Sequence, residues 1–350
     1  MNALGGVHYN GKLMKVSVKF YDDQSNPSTA VQLVRQAVSS DHVDMLITGF
    51  LTPDTDAISS VVQQLQVPIV ANAAEDPEFH VGNPYLYSIY PPSTPEMQMF
   101  ANFFESLTPQ PFNVSTVYSN EEAMVSMLST TIYLLGSNYH VLYNATYDPT
   151  ALTSSAADTY LLAAEAANPQ MIMFTDEYPG NIITMIQQMA SLNIRPNLIF
   201  SEDMWDSPFF ISQLGATANG MVGQDNWAYN MTKADASGDY ANASYWYNQT
   251  NAEFGASIAT NQLPYQAIMA CEVQFAAIEK AGATSGSSVI AALASLNMPT
   301  VDGRFSPNTY GMDPARDPFI IQIQNGEPVI VAPAQYATAT VEYPLSPTWP

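Results

Sequence analysis

Cationic side chains are what this chain most lacks. Nine Lys and Arg residues face 32 Asp and Glu in 350 residues, for a formal net charge of −23. Nucleic-acid binding needs Lys and Arg gathered on one face, and nine scattered cations exclude it. The acids themselves are not enriched, so the imbalance comes from omitted cations, and the polar positions are filled mostly by Ser, Thr, Asn, Gln and Tyr. At low pH the carboxylates neutralise, and so few fixed cations leave little positive self-repulsion. An acidic surrounding medium is therefore expected.

Cysteine is nearly absent too. The single Cys271 excludes an intrachain disulfide. It lies in QAIMACEVQFAAIEKAG, an apolar helical pattern, and reads as a small buried hydrophobe. No window approaches the roughly 20 continuous apolar residues of a membrane span. The opening MNALGGVHYNGK has no basic segment followed by an apolar one, so no signal peptide is visible. Catalytic signatures are missing as well: there is no HExxH, no G-x-S-x-G, no P-loop and no G-x-G-x-x-G. The four histidines, His8, His42, His80 and His140, are dispersed without ligand spacing. No D-x-D-x-D-G loop offers a calcium site. Paired carboxylates can run glycoside hydrolysis, but only their number suggests it here. The expectation is a protein without catalysis, metal or cofactor.

What is present is a core. Apolar residues make up 47% and charged ones only 12%, which marks a globular chain. The length suggests about two domains. Strand-like and helix-like segments alternate. LMKVSVKFY, VDMLITGF, VPIVAN and YLYSIY read as strands, with NPSTAVQLVRQAV, TDAISSVVQQLQ and TPEMQMFANFFESL as helices between and after them. Asn26 is the expected N-cap of the first helix, with Pro27 at its first position. A second series follows: VSTVYS, YHVLYNATY, QMIMFT, RPNLIFS and NGMVGQ, with helices interleaved. Such alternation implies parallel sheets covered on both faces. After further helices the chain closes with PFIIQIQNGEPVIVAP, two strands joined at Asn-Gly, the strongest short hairpin signal.

Five apolar segments end or lead into a pair of acids: Asp22-Asp23, Glu75-Asp76, Glu121-Glu122, Asp176-Glu177 and Glu202-Asp203. Carboxylates at such junctions cap helix N-termini and offset the macrodipole. They also sit where open α/β sheets bind ligands, outside the carboxyl ends of the strands. Sequons at Asn113, Asn144, Asn230, Asn242 and Asn248 are candidate N-glycosylation sites, although an Asn- and Thr-rich chain holds several by chance.

The order of these segments resembles the type I periplasmic substrate-binding proteins of the branched-chain amino acid (Leu/Ile/Val) class, which serve ABC importers. GGVHYNGKLMKVSVKFYDDQSNPSTAVQLVRQAV is similar to that family's opening turn, strand and helix. VDMLITGFLTPDTDAISSVVQQLQVPIVANAAEDPEF matches its next block. YQAIMACEVQFAAIEKAG, GRFSPNTYGM and PFIIQIQNGEPVIV match its last, so the likeness spans nearly the whole chain.

The resemblance implies two Rossmann-like lobes with parallel sheets, joined by a hinge that the chain crosses three times. Residues 1–112 with 256–300 would form lobe 1, residues 113–255 with 301–335 lobe 2, and residues 336–350 a tail that links to an anchor. Family members carry a further strand and helix before the GG turn. The first strand of lobe 1 is therefore expected either to precede the given sequence or to come from another chain, and the missing signal peptide then says nothing about compartment. Ligand would bind between the lobes. In lobe 1 the resemblance points to Thr52, Asp54 and Thr55 after the VDMLI strand, and to Ala73, Glu75 and Asp76 after the VPIV strand. Family members hold a ligand carboxylate there through hydroxyl and backbone donors, so Glu75 alters that half of the site.

In lobe 2 the family's first aromatic is replaced by Glu121 or Glu122. Tyr178 matches its second aromatic, and Glu202 or Asp203 matches the acid that takes the ligand ammonium. Trp205 and Trp227 are candidate stacking walls, or core. The implied function is an extracytoplasmic solute-binding protein for a small amino-acid-like or amine-bearing ligand, partnered by ABC permease subunits. It would lie in a periplasm-equivalent space, outside the cell or at its surface. A cell-surface structural or assembly protein on the same fold is the alternative, to which the Tyr- and Asn-rich surface and the tail YATATVEYPLSPTWP lend room.

Overall fold

A computed structural model of the chain describes residues 2, 5–72, 82–203, 207–229, 231, 238–314 and 318–349. The chain divides into two units. The first comprises Met1–Pro92, Gly238–Trp246 and Leu263–Asp317, and the second comprises Ser93–Ser237, Tyr247–Gln262 and Pro318–Pro350. These divisions fall at other residues than those the resemblance implied. Residues 93–112 belong to the second unit and residues 301–317 to the first, and residues 336–349 are part of the second unit.

In the first unit, Asn26 caps helix Pro27–Ser39 as expected. Its Oδ1 accepts from the Thr29 N–H at 3.0 Å, and Pro27 takes the first turn, where no backbone donor is needed. Ala30, Val34 and Ala37 follow at helical spacing and are buried. They pack with Ile58, Val61 and Val62 of helix Thr52–Leu65 and with Ile69, Ala71 and Leu86 of the sheet. That sheet is parallel, in the order Leu46–Ile47, Ile69–Ala71, Leu86–Ser88.

The first expected strand behaves differently. Lys12–Met14 pairs with Val7–Tyr9 in an antiparallel hairpin, and residues 15–22 join no ladder among the described residues. Val18 is 62% exposed and Phe20 90%. Strand propensity in KVSVKFY is high, but a strand forms only where a neighbour supplies the hydrogen bonds. Helices Leu263–Ala281 and Ser287–Leu293 and the hairpin Met298–Thr300 with Gly303–Phe305 complete the unit. Cys271 is half-buried rather than fully enclosed.

The second unit is built on one sheet in the order Glu327–Ala332, Phe319–Gln324, Val222–Asp225, Leu198–Asp203, Met171–Thr175, Asn113–Ser119, His140–Tyr147. The last five of these run parallel, and the closing hairpin adds two antiparallel strands. Asn325 (φ 54°) and Gly326 (φ 77°) make the hairpin turn, the left-handed pair that Asn-Gly supplies at little cost. Met171–Thr175 is buried at every position, as a strand covered on both faces must be.

Helix Ser93–Ser106 brings Phe100 and Phe104 edge-on against Phe200, at centroid distances of 5.0 and 4.9 Å. The terminal residues pack on the same unit. Leu345 N–H donates to the Asn197 carbonyl at 2.7 Å, and Trp349 Nε1 donates to the Thr217 carbonyl at 3.1 Å. Among the described residues no helix is long and apolar enough to cross a membrane.

Candidate ligand-binding site

The parallel strands of the second unit end at one level, and the expected acids gather there. Glu121 follows strand Asn113–Ser119, Asp176 follows Met171–Thr175, and Glu202 lies next to the end of strand Leu198–Asp203. Neighbouring His140–Tyr147 ends in Tyr147, whose hydroxyl donates to Asp176 Oδ2 at 2.5 Å. The same oxygen accepts from Asn181 Nδ2 at 2.9 Å, and Oδ1 accepts from the Tyr178 N–H at 2.7 Å. Asp176 is only 1% exposed. Burial pushes its carboxyl above the usual carboxylate range, and its three donors pull back against that shift. Burial, followed by the Asp176 charge, raises the Tyr147 phenol far above its ordinary value.

Glu121 occupies the N-cap position of helix Glu122–Leu135 but makes no capping bond. Its Oε2 accepts instead from Ser119 Oγ at 3.1 Å. Burial raises its carboxyl most, Ser119 opposes that, and the charges of Asp176 and Asp148 raise it further. Tyr178 stands at the N-cap of helix Pro179–Leu192 with its side chain 43% exposed. Its phenol is raised by burial and then by Glu121, Glu177 and Asp176. Tyr178, Glu121 and Asp176 thus share one electrostatic neighbourhood, with an exposed aromatic ring beside it. Glu202 is 2% exposed. Asp203 pairs with Gln224 in the ladder, and Trp205 lies outside the described residues.

Trp227 belongs to the core reading. It is buried and stacks on Tyr247 at 6.3 Å and 24°, and Tyr229 stacks on the same Tyr247 ring at 6.2 Å and 26°. Sequence reasoning missed Tyr147 and Asn181 as members of the cluster. Their partner Asp176 is far from Tyr147 along the chain, and only the parallel register brings them level.

In the first unit, Thr52, Asp54 and Thr55 form the first turn of helix Thr52–Leu65, just past strand Leu46–Ile47. Asn72 follows the adjacent parallel strand, and its N–H donates to Thr48 Oγ1 at 2.9 Å. Asp54, Thr55 and Asn72 are 6, 0 and 7% exposed. Asp54 Oδ1, Thr55 Oγ1 and Asn72 Oδ1 are buried and make no hydrogen bond. Burial, then the Asp23 charge, raises the Asp54 carboxyl. Ala73, Glu75 and Asp76 lie outside the described residues. The Asp22-Asp23 pair is a turn device: Asp22 accepts from the Gln24 N–H at 2.9 Å and Asp23 from the Ser25 N–H at 3.0 Å.

Of the sequons, Asn144, Asn242 and Asn248 are exposed, Asn113 is half-buried in its strand, and Asn230 lies outside the described residues. Asn144 Oδ1 accepts from Thr116 Oγ1 at 2.9 Å. No group of three or more His, Cys, Asp or Glu placed to hold a metal ion occurs among the described residues.

The chain matches the periplasmic binding protein family over residues 1–327 and belongs to that family. Its fold is the type I form. The branched-chain amino acid transporter substrate-binding protein LivJ from Streptococcus pneumoniae, solved in complex with isoleucine, shares it at a TM-score of 0.80 and 16% identity, over 98% of this chain and 90% of that one. A leucine-binding protein LivK from Thermotoga maritima shares it at 0.79 and 17% identity, over 93% and 89%. A solute-binding protein of an ABC transporter from R. palustris, in complex with benzoate, shares it at 0.76 and 15% identity, over 97% and 89%.

Proposed function

We propose that this chain is an extracytoplasmic solute-binding protein that captures a small amino-acid-like or amine-bearing ligand and delivers it to the permease of an ABC importer. The observation that carries this reading is the carboxylate cluster at the strand ends of the second unit, with the exposed Tyr178 ring beside it. Glu202 and Glu121 are the acceptors for a ligand ammonium, since a charge-assisted bond in a water-poor site is about twice as strong as a neutral one. Tyr178 adds its ring face to the cation, worth about 0.5–2 kcal/mol. Asp203 and Trp205 are further contacts in this proposal. In the first unit Thr52, Asp54, Thr55, Ala73, Glu75 and Asp76 are the corresponding contacts. Asp176 is assigned to shaping the site, because both its oxygens already accept, from Tyr147 and Asn181 at Oδ2 and from the Tyr178 N–H at Oδ1.

Thermal-shift screening against amino acids, polyamines and short peptides tests the reading. A ligand at 100 times its Kd adds about 2.7 kcal/mol to the folded state, a readily measured rise in midpoint. Glu202→Gln and Tyr178→Ala are expected to weaken that ligand roughly tenfold or more, as about 1.4 kcal/mol per decade requires. Silence across all three solute classes overturns the reading and favours a structural role at the cell surface.

A further inference from the structure

The first unit is unusual in the chemistry it offers at its strand ends. Three oxygens there are buried and without hydrogen-bond partners: Asp54 Oδ1 and Thr55 Oγ1 on the first turn of helix Thr52–Leu65, and Asn72 Oδ1 after the neighbouring strand. Asn72 stands on a different element from the other two, so the pattern is not a property of one helix N-terminus. The bond from the Asn72 N–H to Thr48 Oγ1 holds it at the same end of the sheet. An Asp or Asn oxygen can only accept, and a buried acceptor left empty is costly. Nearby charge does not relieve the deficit. The charge acting on Asp54 is that of Asp23, which repels it. Several cations of this unit are engaged elsewhere: Lys19 with Asp41, Arg304 with Asp239, Arg35 with Gln64, Lys280 with the Ser295 carbonyl, and Lys15 with the Asn2 carbonyl.

A ligand carboxylate placed here could accept from the Thr55 hydroxyl, but it would leave the Asp54 and Asn72 oxygens unfilled and would face like charge at Asp54. A primary ammonium carries three donors and a positive charge, and no acceptor. We infer that this end of the first unit takes the ammonium of an aliphatic amine, so that the protein selects amines and polyamines that lack a carboxylate over zwitterionic amino acids. The inference rests on the solute-binding reading above and names the ligand class for it.

The test is calorimetric titration of the full chain with putrescine, spermidine, leucine and glutamate. Saturable binding of an amine, at least tenfold tighter than of either amino acid, is expected. Asp54→Asn should then weaken the amine at least tenfold, and Thr55→Val should weaken it by a smaller factor. Asp54→Asn should leave the ligand-free thermal midpoint unchanged or higher, whereas a residue with a purely structural role would lower it. Should Asp54→Asn fail to fold, Thr55→Val carries the comparison alone, since it keeps the side-chain volume and removes only the oxygen. Leucine or glutamate bound more tightly than the amines, or an amine affinity untouched by these substitutions, overturns the inference and leaves the solute-binding reading standing. Binding of none of the four, with silence across the wider screen, removes the reading itself and this inference with it.

Discussion

Asp176, one of the strand-end acids, spends its carboxylate on the fold itself. Its carboxylate gathers the Tyr147 hydroxyl, the Asn181 amide and the Tyr178 N–H, so it ties two strand ends to the start of helix Pro179–Leu192. Removing it strands these donors in a site that is nearly closed to water. Asp176→Ala is therefore expected to cost on the order of 3 kcal/mol, at about 1–3 kcal/mol for each buried donor left unmet. Urea unfolding would show this as a lower midpoint at constant slope. Tyr147→Phe deletes one donor and the hydroxyl together, and should cost about 1 kcal/mol. Equal losses for the two substitutions would mean that Asp176 acts only through Tyr147. The local half of this network was legible, because DEYPGN reads as an acid before a helix that opens at proline. The Tyr147 half was not, because no pattern in YHVLYNATY marks a hydroxyl whose partner arrives from another strand.

Elements were read well where local chemistry determines them. Asn26 caps its helix as the Asn-Pro pair suggested, and Asn26→Ala should cost about 1 kcal/mol of stability in the same unfolding experiment. Buried parallel strands such as MIMFT announce themselves as continuous apolar runs. Two features depended instead on distant neighbours. KVSVKFY has every local mark of a strand, yet residues 15–22 join no ladder among the described residues, because propensity cannot supply a hydrogen-bonding partner. Helix Ser93–Ser106 was assigned with the strands that precede it, but its Phe100 and Phe104 close on Phe200, so packing and not chain order decides its unit. Phe200→Ala would open a cavity under both rings, at a cost of about 3–5 kcal/mol. A cost below 1 kcal/mol would show that this aromatic cluster does not hold the helix in place. At the candidate site the same division holds. The acid pairs were visible as pairs, but that Asp176 would meet the Tyr147 hydroxyl depended on register.

For the whole molecule, the shortage of cations and the burial of acids act in the same direction. Asp54, Glu121, Asp176 and Glu272 all have carboxyls raised by burial. A group whose folded pKa lies above its unfolded value binds its proton more readily in the folded state. It therefore penalises the fold above the folded pKa, and the penalty is relieved as pH falls through that value towards the ordinary carboxylate range. Asp41 and Asp148 oppose this, with carboxyls lowered by their hydrogen bonds to Lys19 and to Thr150 respectively, but both lie at the surface, where such interactions are weak. Mutual repulsion within a chain of net charge −23 also weakens as carboxylates protonate. The ligand-free protein is therefore expected to melt at a higher temperature at about pH 5 than at about pH 7, the interval just above the usual carboxylate range. At about pH 7 added salt should raise the midpoint by screening the repulsion, and this effect should shrink on acidification. A stability maximum at neutrality, or a midpoint insensitive to salt there, would sever the link between cation scarcity and acid tolerance and leave the proposed acidic surroundings without physical support.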